Sequence, residues 1–156
     1  MQSSLTKAIP SGVFVVTARS GDRTNGMTAA WVTQVSFKPP MIAVAIAKER
    51  YTYELISESG SFCLNTLPAG AEDLGRHFGF RSGRKKDKFA GIPHTLSAKG
   101  IPILDGACAC VECEVEKTCE AGDHTLFIGK VTDCTIFKDD AAPLIFEWQA
   151  FFGKKG

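Results

Sequence analysis

The sequence predicts a mainly β fold, an antiparallel barrel or closed sheet with a few short helices. Three observations carry this. Six or more short apolar or β-branched runs are separated by turn-forming clusters. Only two segments carry helix punctuation, and no regular βαβ alternation runs through the chain. At 156 residues the chain fits one domain, read here as residues 1–156, with room for a substantial core and no internal repeat or linker.

Residues 13–18 (Val-Phe-Val-Val-Thr-Ala) are apolar and largely β-branched, and the turn-rich stretch 20–26 follows, so the chain opens with a strand, a loop and a strand. Residues 41–46 (Met-Ile-Ala-Val-Ala-Ile) form a continuous apolar run of strand length. Pro39 and Pro40 mark its entry because neither can donate a ladder hydrogen bond, and the run reads as a third, fully buried strand. Thr52 is placed to cap a short helix, with Glu54 in its first turn and Gly60 at its end. Residues 61–67 return to strand, and 71–78 suit a second short helix. The connection 79–88 is polar, glycine-bearing and basic, which makes it the loop expected to move. Alternation resumes from Ala107 to Thr118, turns at 120–123, runs back from His124 to Phe137 and turns at 138–143, leaving 144–148 as the last strand.

Charge and cysteine usage exclude several classes. With 18 Lys+Arg against 17 Asp+Glu the formal charge is +1, so no overall field would hold the chain on nucleic acid or an anionic membrane. No apolar run approaches the roughly 20 residues a membrane helix needs, and the N-terminus lacks a secretion-type apolar stretch. A cytoplasmic location is the expectation. Of the six cysteines, Cys108 and Cys110 should share one strand face and Cys113 the other, poor geometry for one tetrahedral zinc. Reduced core thiols are the reading, with a metal or thiol-redox strand as the alternative.

The stretch from Asn25 to Pro40 reads as backbone shaped to approach a ligand. Small side chains at Gly26, Ala29 and Ala30 let main-chain N–H groups come close to something bulky, while Thr28 and Ser36 offer hydroxyls. Lys48 and Arg50 lie just ahead of the helix expected at Thr52, where orphan N–H groups and the helix dipole form an anion site. Solvated loop charges explain the same pair. Trp31 falls on alternate strand positions with Met27, Ala29, Thr33 and Val35, so core packing is an equal reading for it. There is no Gly-x-Ser-x-Gly elbow, no glycine-rich Lys-Ser/Thr phosphate loop and no dinucleotide fingerprint.

Four pieces in order resemble the flavin reductase-like family: Thr28 to Trp31, Ser36 to Pro40, Arg50 to Thr52, and the Gly-Asp-His turn from Gly122 to His124. The segment Ser82-Gly-Arg-Lys-Lys-Asp-Lys-Phe89 is similar to a further motif of that family. The resemblance covers roughly residues 9–148. It implies a split antiparallel β-barrel holding FMN, with Met27, Thr28, Ala29, Ala30, Trp31, Ser36, Lys48, Arg50, Thr52, Lys88 and Phe89 as cofactor contacts. It further implies His124 as the residue that orients nicotinamide or flavin, NADH or NADPH as electron donor, and a homodimer. Ala30 and Trp31 stand where many members carry hydroxyls, a variant similar to flavoredoxin-type members that retain FMN as an electron carrier. That likeness makes rubredoxin, ferredoxin or a monooxygenase the partner classes to expect.

Overall fold

The computed structural model describes residues 1–153. In chain order the elements are α1 (Gln2–Ala8), β1 (Phe14–Ser20), β2 (Arg23–Ala29), β3 (Val32–Phe37), β4 (Pro40–Ala47), α2 (Tyr51–Ser59), β5 (Ser61–Thr66), α3 (Glu72–Gly79), β6 (His94–Leu96), β7 (Pro102–Leu104), β8 (Ala109–Ala121), β9 (His124–Ile136) and α4 (Trp148–Phe152). Seven strands make one antiparallel sheet in the order β2-β1-β5-β8-β9-β4-β3, and β6 with β7 forms a separate pair.

The end strands of this sheet, β2 and β3, are separated in sequence only by Ala30 and Trp31. A sheet whose two edges are covalent neighbours must curl until they meet, so the barrel is closed at that seam by the chain and not by a ladder. The Trp31 carbonyl accepts a hydrogen bond from the Ala45 N–H at 3.0 Å, which ties the bend to β4. The long β8–β9 ribbon supplies the split. Ala109 to Glu114 of β8 pair with β5, and His124 to Lys130 of β9 pair with β4, so each arm has a second neighbour over only half its length. Register shifts at Glu112/Cys113 and Val115/Lys117 mark where the ribbon changes partners, as bulges do when a strand bends.

β1 is buried on both faces. Val16 and Ala18 point into the barrel core with Val44, Ile46, Leu55, Phe62 and Phe127, while Val13 and Val15 join an outer cluster of Leu67, Phe78, Phe89, Leu104 and Phe151. The Thr17 hydroxyl donates to the Pro102 carbonyl at 2.6 Å, and the Asn65 amide donates to the Val15 carbonyl at 3.0 Å. Those bonds meet the requirement that buried polar groups find partners.

Several expectations change. The first turn is only Gly21 and Asp22, because β2 pairs with β1 from Arg23 onward. The apolar run at 41–46 is the fourth strand, and it is not fully buried, since Met41, Ile42 and Ala45 are partly exposed. Residues 144–148 make no strand: Ile145 forms one bridge to Gly12, and Trp148 begins α4. Thr52 lies inside α2, and Arg50 is the residue before its first turn, with no side-chain cap. Gly60 does end α2, with φ of 69°.

Candidate functional site

A cleft of about 530 Å³ lies on the seam, within the size range of small-molecule sites. Its floor is the β2–β3 bend from Met27 to Trp31 together with Ala45 and Ala47 of β4. Arg50 stands at one side, and His124 with Asp123 of the β8–β9 turn at another. Opposite is a wall from α3 and the C-terminal segment, namely Gly75, Gly79, Phe80, Phe146, Trp148, Phe151 and Phe152. A second cleft of about 620 Å³ lies beyond Trp31 under α1, but no charged side chain lines it. Only the first suits an anionic ligand.

Seven sequence-predicted contacts therefore meet in one cleft: Met27, Thr28, Ala29, Ala30, Trp31, Arg50 and His124. Trp31 is 56% exposed, so the core alternative for it does not hold. Its ring sits 4.7 Å from the His124 ring, centroid to centroid. His124 Nδ1 donates to the Asp123 carboxylate at 2.6 Å, which leaves Nε2 as the nitrogen free to meet a ligand. That bond holds the Asp123 carboxyl below its ordinary range. The Thr28 hydroxyl donates to the Gly75 carbonyl at 2.5 Å, so its proton is committed to α3 and only its lone pairs remain.

The other five lie outside the cleft lining. Ser36 sits near the far end of β3, where it pairs with Met41. Lys48 is ion-paired with Glu120 on the β8–β9 ribbon, which raises its ammonium pKa. Thr52 is fully buried and accepts from the Asn25 amide at 2.9 Å. Phe89 packs against Phe78 in the outer cluster. Lys88 is buried beneath the floor, where its ammonium donates to the Gly26 and Phe78 carbonyls at 2.7 and 2.9 Å. Burial, helped by nearby Arg50, pushes that amine down to about 8.

Gly26 also takes a different role from the one read in sequence. A Cβ there would stand 3.0 Å from the Phe78 ring, so the missing side chain admits α3 to the sheet and not a ligand to the backbone. Gly75 is similar: a Cβ would lie 2.9 Å from Phe151. The aromatic wall went unread because its residues come from a short α-helix and a bridge, neither with a repeating pattern. The one available signal was density, with Phe146, Trp148, Phe151 and Phe152 within seven residues.

The cysteines do not build a site. Cys110 packs with Cys63 and Ile101 outside the barrel, while Cys113 faces the barrel core, as strand parity predicts. Burial pushes the Cys113 thiol up to about 12, and Cys110 as a close neighbour raises that of Cys63, which suppresses their nucleophilic thiolate forms. Among the described residues no group of His, Cys, Asp or Glu is arranged to hold a metal, and no helix is long and apolar enough to cross a membrane.

Comparison with known proteins gives a consistent result. A high molecular weight rubredoxin of Moorella thermoacetica is 40% identical over 138 residues, covering 87% of this chain. This chain spans 60% of that relative's length. A ferric-chelate reductase (NAD(P)H) of Archaeoglobus fulgidus is 37% identical, with 84% of this chain and 79% of the relative covered. The solved structure of an NADH:FAD oxidoreductase from Streptomyces globisporus superposes with a TM-score of 0.84 at 31% identity, covering 94% of this chain and 84% of that one. The model of the flavin reductase like domain matches residues 6–154, and the chain belongs to the flavin reductase-like family.

Proposed function

We propose that the chain is an FMN-dependent oxidoreductase that takes a hydride from NADH or NADPH and passes the electrons to an acceptor, working as a homodimer. The observation that carries this reading is the seam cleft itself, a slot with a small-residue floor, aromatic walls and Arg50 at one side. Ala29, Ala30, Ala45 and Ala47 leave space for a flat ring against the strand backbone, and Trp31 and Phe152 offer apolar surface around it. The α2 N-terminus has no side-chain cap and the Tyr53 N–H is taken by the Arg50 carbonyl, so the Tyr51 and Thr52 N–H groups with the Arg50 guanidinium are the groups that would hold the phosphate. A flavin held there would supply the redox chemistry, as hydride acceptor and electron donor. The protein's part is alignment. The Asp123 carboxylate keeps the His124 ring oriented, and its Nε2 orients the nicotinamide or exchanges a proton at the edge of the slot.

The names of the ferric-chelate reductase and the NADH:FAD oxidoreductase support the reductase reading. The family model matches residues 6–154, which hold every residue of the cleft lining except Gln2. The exposed apolar residues Val35 and Phe37 on β3 suit a subunit contact. The test is direct: purified protein is expected to bind FMN with a visible flavin spectrum and to bleach anaerobically with NADH or NADPH. Flavin that stays oxidised with both donors would remove the reductase reading.

The exposure of Trp31 at the cleft, together with the rubredoxin relative, favours a second reading as an electron carrier with tightly held FMN. Ready loss of FMN on dialysis, with turnover of free FMN by NAD(P)H, would dispose of it.

A further inference from the structure

Beside the cleft runs a segment that the proposed reaction does not use. From Gly79 to Pro93 the only carboxylate is Asp87, against five basic residues, in a chain whose overall charge is near balance. Asp87 is itself exposed, and its carboxylate accepts the Phe89 N–H at 2.9 Å, a local bond that ties it to the backbone of its own loop. Lys88 anchors the segment from below through the Gly26 and Phe78 carbonyls, and His77 Nε2 donates to the Lys88 carbonyl at 2.7 Å. Arg84 is held by Glu54 at 2.8 Å and lies over the Tyr51 ring at 4.9 Å. That leaves Arg81, Lys85 and Lys86 exposed on an anchored loop, with no ion pair among the described residues. Immediately beside Arg81, Phe80 is 53% exposed and meets Phe152, 51% exposed, edge to face at 5.4 Å. Both rings line the cleft.

We propose that Phe80 and Phe152, flanked by Arg81, Lys85 and Lys86, form the docking surface for a small acidic electron-carrier protein that exchanges electrons at this cleft. An exposed aromatic pair with an arginine-bearing cationic margin has the anatomy of a protein–protein contact: apolar anchors at the centre and charges that steer the encounter at the edge. A free dinucleotide fits less well. No residue of 81–88 lines either cleft, so these cations do not converge on an enclosed phosphate position. The proposal rests on the flavin reading of the cleft for its purpose, but docking itself requires no bound flavin.

The test measures binding of a purified acidic rubredoxin to the full chain at low and high salt. The wild-type protein is expected to bind, and high salt to weaken the complex. The exposed triple variant Arg81→Ala/Lys85→Ala/Lys86→Ala is expected to lose about tenfold in affinity at low salt and to show a flatter salt dependence. Its FMN affinity and its bleaching by NAD(P)H should stay as in wild type. No salt-sensitive binding, or equal affinity in the variant, overturns the proposal. A raised KM for NADPH with rubredoxin binding untouched also overturns it and assigns the cations to a nucleotide phosphate. Protection of Lys85 and Lys86 from an amine-reactive reagent in the protein alone overturns it too, because a second copy would already cover this face. Failure of FMN to bind would instead sink the reading of the cleft, and a separate flavin titration reports it.

Discussion

Phe78 and Phe80 lie two residues apart on either side of the end of α3, yet one is fully buried under the cleft floor and the other is 53% exposed at the cleft wall. Phe78 fills the space left by Gly26 and packs on Phe89, so it belongs to the outer core before it belongs to any site. Phe80 touches Phe152 and solvent. The pair shows how the site is divided: its floor is a surface of the barrel's own packing, and the exposed part of its wall, Phe80 with Phe152, is free of that duty even though Phe151 beside them belongs to the outer core. Change at the floor should be felt first as stability, change at the margins as binding or rate.

The largest expected effect tests the floor. Phe78→Ala should cost about 3–5 kcal/mol in a urea or guanidinium titration, the usual loss for a buried aromatic, whereas Phe80→Ala should stay within about 0.5 kcal/mol. Equal losses would break the comparison. Next comes Arg50→Ala, at the exposed side of the cleft: FMN affinity should fall about 10- to 100-fold, the worth of one charge-assisted contact, with the unfolding midpoint unchanged. Calorimetric titration checks it.

Lys88 sharpens the division through pH. Its amine titrates at about 8 in the folded chain against an ordinary value of 10.5. Between those values the unfolded chain holds a proton that the folded chain has released, so stability should rise with pH across that interval and be flat below it. The expected gain from pH 7.5 to 9.5 is about 1–2 kcal/mol in wild type and is absent in Lys88→Met. The smallest effect is at His124. His124→Gln should slow flavin reduction about fivefold to tenfold in stopped flow while leaving stability and FMN affinity near wild type, as expected for an orienting group. A loss of folding there would show that the hairpin turn carries more of the barrel's stability than its exposure suggests.

Much of the fold was legible because strands announce themselves locally. The β1, β5, β8 and β9 runs carry apolar or alternating residues bounded by turn formers, and those signals act over a few residues. Gly60 and Gly122, both with positive φ, sit at the turns their sequence implies. The failures share a different cause. Thr52 reads as a cap from its neighbours, but its hydroxyl is taken by Asn25, which lies 27 positions earlier. Lys48 reads as a phosphate ligand until Glu120 arrives from another strand. Residues 144–148 read as a strand until Leu144 and Phe146 join the outer cluster with Phe78 of α3 and Val15 of β1.

Sequence alone therefore determined the β-rich class, the ordered set of segments around Thr28, Ser36, Arg50 and His124, and the resemblance to a flavin-handling family, because these depend on residue type and short spacing. Tertiary structure decided which of those residues share a cleft. Met27 to Trp31, Arg50 and His124 come together only because the sheet's two end strands are joined by two residues and must curl to meet. Closure of that seam depends on pairings far apart in the chain, such as Ala47 with His124, and no local pattern encodes a distance of that kind.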